Sequence, residues 1–175
     1  MATYKMDPAH SGAQFVVRHM MISNVRGGFT KVEGTIEYDP ANVGATKIDA
    51  VIDASTIDTR EEQRDAHLRS ADFLDVEKFP TITFKSTKVE ADGDDELKVT
   101  GDLTIHGVTK EVVLDVDGPT PEAKDPYGNL RVGASAKTKV KRSEFGLTWN
   151  AALEAGGFLV GDDLKIELDV SAIRS

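Results

Sequence analysis

Hydrophobic and polar residues alternate with a period of two along most of this chain, the pattern of strands that bury one face and wet the other. Ala13, Phe15 and Val17 alternate with Gln14 and Arg18, with Val16 breaking strict polarity on the outer face. Val32, Gly34, Ile36 and Tyr38 alternate with Lys31, Glu33, Thr35 and Glu37, and Ile48, Ala50, Ile52 and Ala54 with Asp49, Val51 and Asp53. The pattern resumes at Ile82 and Phe84, continues through Leu97, Val99, Gly101, Leu103 and Ile105, and returns in Val112, Leu114 and Val116. Leu130 to Val140 and Leu164 to Val170 complete about eight strands.

Consecutive strands with one apolar face bury it against a second sheet or by closing on themselves. Periodicity alone leaves both open, and in a closed barrel of about eight strands the size of the inward residues decides between a packed interior and a cavity. Gly34, Ala50, Ala54, Gly101, Ala134 and Ala136 are small and inward, which points to a cavity, with tight packing or strand bends as the competing explanation. In this register the interior is lined by Phe15, Val17, Val32, Ile36, Ile48, Ile52, Ile82, Phe84, Leu103, Ile105, Leu114 and Val132, and the widest part lies beside Gly34, Gly101 and Ala134.

A short, highly charged helix is predicted over 60–70, where Thr59 and Glu62 have capping-box spacing. Leu68 and Ala71 give it only a narrow apolar stripe, which suits a position across a barrel end or edge. Turns are predicted at His106-Gly107, Asp92-Gly93-Asp94-Asp95, Asp125-Pro126-Tyr127-Gly128 and Gly161-Asp162-Asp163, and the glycine pairs Gly27-Gly28 and Gly156-Gly157 also read as turns.

The 175 residues fit one domain, 1–175, and a net charge of -9 argues against nucleic acid or an anionic membrane as the main partner. Without cysteine there are neither disulfides nor thiolate sites. No run approaches the roughly 20 apolar residues of a spanning helix, so stable membrane insertion is not expected. Met1 to Asp7 show no secretory signal, so the chain as written is expected in the cytoplasm, and in the periplasm if a signal has been removed.

His10, His19, His67 and His106 are the natural acid–base or metal candidates, but none forms a ligand pair and each sits in a different predicted element. They read as hydrogen-bonded residues at strand ends, and no metal site is expected. His10-Ser11 lacks a nucleophile elbow, and no glycine pair has the setting of a phosphate cradle. Arg60, Arg64 and Arg69, among Glu61, Glu62 and Asp65, read as a solvated helix face, with a diphosphate clamp at a barrel mouth as the alternative.

Asp7-Pro8-Ala9-His10-Ser11, Phe15 to His19, Arg26-Gly27-Gly28-Phe29, Thr59-Arg60, Arg64 to Ser70, Asp72 to Asp75, Phe79 to Phe84, Gly101 to Lys110, Arg142 to Leu147 and Val160-Gly161-Asp162 stand in the order found in the YceI-like family. The chain resembles that family over nearly its whole length. The resemblance implies an all-β, lipocalin-like antiparallel barrel holding a polyisoprenoid of quinone or prenyl-diphosphate type against the inward residues named above. It implies no cofactor and carries no catalytic set. Carriage, storage and sequestration all fit; an enzyme using His10, His19 or His67 on a small isoprenoid, and a ligand-free interaction module, are the rival readings. A homodimer is left open.

Overall fold

The computed structural model describes residues 1–151, 153 and 159–175. Twelve strands form one sheet: β1 (Ala2–Met6), β2 (Gly12–His19), β3 (Ser23–Phe29), β4 (Val32–Tyr38), β5 (Lys47–Asp53), β6 (Ile57–Asp58), β7 (Thr81–Ala91), β8 (Glu96–Ile105), β9 (Val108–Asp117), β10 (Ala123–Lys124), β11 (Leu130–Lys141) and β12 (Val160–Arg174). Hydrogen bonding runs β11-β9-β8-β7-β5-β4-β1-β12, and β12 returns to β11 from Lys141↔Asp163 to Arg131↔Ile173, so eight antiparallel strands close the ring. Closure leaves these strands no free edge.

β12 is long enough, at 15 residues, to pair with two strands along one edge: β1 at residues 172–174 and β2 at 160–169. β3 and β6 extend the wall from β2 as β4 and β5 extend it from β1. The wall therefore continues to the upper end, where the two-residue β6 leaves a gap before β7. The segment 59–80 covers it with helix α1 (Glu62–Arg69) and the loop behind it.

That helix replaces the expected capping box with another cap. Glu61 is the N-cap, and its carboxylate accepts from the backbone N–H groups of Gln63 and Arg64. Thr59 is buried and turned the other way, donating its hydroxyl and its N–H to the buried Asp65 carboxylate and accepting from Arg64 Nε. Arg64 also donates to the Thr59 carbonyl at 2.6 Å, so this arginine holds its own loop rather than a diphosphate.

The hairpins at 92–95 and 106–107 join β7 to β8 and β8 to β9, and 125–128 turns β10 into β11. Two other predicted turns are strands. Gly27 and Gly28 lie inside β3 opposite Phe15 and Gln14, and a Cβ on Gly27 would stand 2.5 Å from the Phe15 ring. The glycine is there for close approach. Gly161, Asp162 and Asp163 lie within β12 beside a β-bulge, where Asp162 accepts from the Ser143 backbone and hydroxyl. The remaining glycine pair, Gly156-Gly157, lies outside the described residues.

Candidate functional site

The inward faces enclose a cavity of about 220 Å³ whose exposed wall is almost wholly carbon. Phe15, Val17, Val32, Ile36, Ile48, Ile52, Ile82, Phe84, Leu103, Ile105 and Leu114 all line it. Val132 does not. It faces inward one layer lower, in a filled plug with Tyr4 and Ala172 beneath Ile36 and Val170, because β11 runs past the cavity floor.

The small residues divide. Ala50, Ala134 and Ala136 border the cavity, whereas Gly34 and Gly101 do not and instead mark tight packing. A Cβ on Gly34 would lie 2.1 Å from the Asp49 carbonyl oxygen, and one on Gly101 would lie 2.5 Å from both the Lys85 carbonyl oxygen and the Phe84 ring. Ala54 is fully buried in a 3-10 turn after β5, outside the wall.

The rest of the wall comes from β12, whose alternating face contributes Leu164, Ile166, Leu168 and Val170, and from residues the alternation did not single out, Met6 of β1 and Phe29 of β3. Leu68, Phe73 and Leu74 close the gap beside β6. Outside them His67 donates from Nε2 to the Asp72 carboxylate at 2.9 Å and meets Trp149 edge-on, with ring centroids 4.8 Å apart.

At this end Arg142, Leu147 and Val160 belong both to the cavity and to a second, more polar pocket bordered by Arg18, Met21, Asn150 and Asp162, which is the mouth. Arg142 is buried, and burial pulls its basicity down from the usual range. Its guanidinium donates to the carbonyls of Gly161, Leu147, Trp149 and Val160 at 2.7–3.1 Å, which consumes its polarity in fastening the loop after β11 to the start of β12.

The histidines are dispersed. His10 bonds Asp7 at the lower end, His19 ends β2, His67 lies on α1, and His106 is in the β8–β9 turn against Phe79. Among the described residues no group of His, Cys, Asp or Glu is placed to hold a metal ion.

A closed antiparallel barrel around an apolar cavity defines a lipocalin-like class of protein. Within that class the chain belongs to the YceI-like domain family, whose profile matches residues 4–172. It is similar to Protein YceI of Salmonella newport, 41% identical over 149 residues, 84% of this chain and 77% of that one. The crystal structure of the YceI protein of Campylobacter jejuni superposes with a TM-score of 0.75 at 34% identity, covering 90% of each chain. A polyisoprenoid binding domain from Saccharophagus degradans, implicated in plant cell wall breakdown, shares the fold with a TM-score of 0.73 at 15% identity over 100% of both chains.

Proposed function

We propose that the barrel holds one long, slender apolar molecule of polyisoprenoid type and acts on it as a carrier or store rather than as a catalyst. The observation that carries this reading is the cavity: a space walled by carbon, with a buried plug below and a polar pocket that shares Arg142, Leu147 and Val160 with it at the other end. The likeness to a polyisoprenoid binding domain supports it.

The energetics favour a chain of several units. At about 0.8 kcal/mol per buried CH₂, a five-carbon unit contributes about 4 kcal/mol. Association costs roughly 4–15 kcal/mol in lost freedom and ordering, so about three or four buried units are needed for a net gain of useful size. A polar head would stay at the mouth, where Arg18 and Asn150 offer polar atoms.

The test is reloading. Delipidated protein incubated with prenyl quinones of increasing tail length, then passed through a desalting column, should retain long tails and lose one-unit tails. Equal loss of all lengths would refute the reading.

A further inference from the structure

The mouth is flanked by an exposed apolar tip. Met20, Met21 and Ile22, which join β2 to β3, are 43%, 62% and 74% exposed. The other exposed large apolar residues among those described, such as Val51, Val113 and Tyr127, stand singly. Single exposed hydrophobics are ordinary, whereas three in a row at a protruding tip are not.

The backbone makes the choice of residues stranger. Ile22 N–H closes a tight turn onto the His19 carbonyl, and the two central residues, Met20 and Met21, have φ of 52° and 59°. Asparagine and glycine take such turns with least strain, and methionine gains nothing there from the fold. Met21 borders the mouth pocket, and the Met20 N–H donates to the carbonyl of Leu159, so the tip is tied to the opening.

Charge around the tip runs against the molecule as a whole. The chain carries 30 acidic residues and a net charge of -9, yet from Pro8 to Val32 there is no Asp or Glu, while Arg18, Arg26 and Lys31 are present. On the outer face beside the tip, one cross-strand row reads Arg26, Val16, Lys165 and Lys139 across β3, β2, β12 and β11. Like charges directly opposite each other, as Lys165 and Lys139 are, cost stability in a sheet. Asp163 pairs with Lys139 and Lys141, and Glu167 lies in the adjoining row, so acids compensate this face only in part. Of the other acids at this end, Asp162 borders the mouth pocket with both carboxylate oxygens bonded to Ser143 and Glu144 lies in the turn beside it, whereas Glu61, Glu62 and Asp72 lie beyond β6 on α1 and its loop.

From these observations we infer that the β2–β3 tip is a membrane-docking element: Met20, Met21 and Ile22 enter the interface of an anionic bilayer while Arg18, Arg26 and Lys165 rest against its headgroups. A tip of this kind puts the mouth against the surface from which an apolar cargo could pass without crossing water. The purpose rests on the reading of the cavity given above; the docking itself does not. The negative charge of the whole molecule limits the contact to this face and keeps it reversible.

Flotation with vesicles of phosphatidylcholine alone, and of phosphatidylcholine with about one-third phosphatidylglycerol, tests it, each cation at the surface adding roughly fivefold in affinity. The protein should float with the anionic vesicles and be released by about 0.5 M salt, which screens the contact. The double substitution Met21→Asp and Ile22→Asp, at exposed positions, should weaken binding by about tenfold or more with the melting temperature unchanged. Arg26→Glu with Lys165→Glu should abolish the preference for anionic vesicles. Failure of the wild type to float with either vesicle, or flotation of both variants like wild type, would each overturn the inference. Retained lipid is scored in parallel: floating protein that holds no lipid sinks the cargo reading and leaves the docking standing, and the converse sinks the docking alone.

Discussion

Arg131 ties three distant stretches of chain at the closed end of the barrel. Its guanidinium meets Asp7 at 2.8 Å and Asp125 at 2.7 Å, and donates to Ser171 on β12. Arg131 first, then His10, holds the Asp7 carboxyl down to about 2, and Arg131 likewise holds Asp125 at about 2. Both values lie below the ordinary 3.8, so the folded state binds fewer protons than the unfolded one. The stability these groups add is present above about 4 and is lost as pH falls through about 2. Arg131→Met should therefore melt below wild type at neutral pH, and the gap should close as the melts are repeated toward pH 2. A gap that stays constant across that range would contradict the assignment. The buried Arg142 makes a different case. In Arg142→Met four carbonyls lose a donor, and with about 1–3 kcal/mol for each group left unsatisfied, urea unfolding should show a loss of about 3 kcal/mol or more. Several residues of the family signature have such fastening roles: Asp7 and His10 at the lower end, Thr59 before α1 with Arg64 and Asp65 on it, and Arg142 and Asp162 at the mouth.

Among the elements, the long strands were legible because alternation over seven or more residues fixes both the strand and its inward face. β1 has the same alternation in Ala2, Tyr4 and Met6, but over only five residues. β3 was hidden because Gly27, an inward position, shows no polarity, and a glycine pair mimics a turn. Gly161 hid the start of β12 in the same way. Glycine marks backbone freedom and close approach with the same letter, and only the partner strand tells which applies. Gly101 and Ala136 test that distinction. Gly101→Leu drives a side chain into the Phe84 ring and the Lys85 carbonyl, and should cost roughly 1–3 kcal/mol or more in chemical denaturation. Ala136→Phe projects into the cavity between Val116 and Leu168 and should leave the denaturation midpoint nearly unchanged. Equal losses in the two variants would mean that the space beside Ala136 is not free.

At the scale of the whole molecule, eight strands close the lower half and the segment 59–80 completes the upper wall, so the interior is sealed at the plug of Tyr4, Val132 and Ala172 and opens at the other end. The barrel and most of its cavity wall follow from local alternation, whereas the plug and the helical patch depend on which strand runs past which. That is why alternation places Val132 on the cavity wall and leaves Phe73 and Leu74 out of it. The central claim, an interior occupied by one long apolar molecule, is tested most directly by native mass spectrometry of freshly purified protein followed by solvent extraction. The account predicts a single stoichiometric adduct in the wild type that extracts as a prenyl lipid and disappears in Ala136→Phe while the fold persists. Wild-type protein that carries no adduct and takes up none from prenyl-lipid micelles would contradict it.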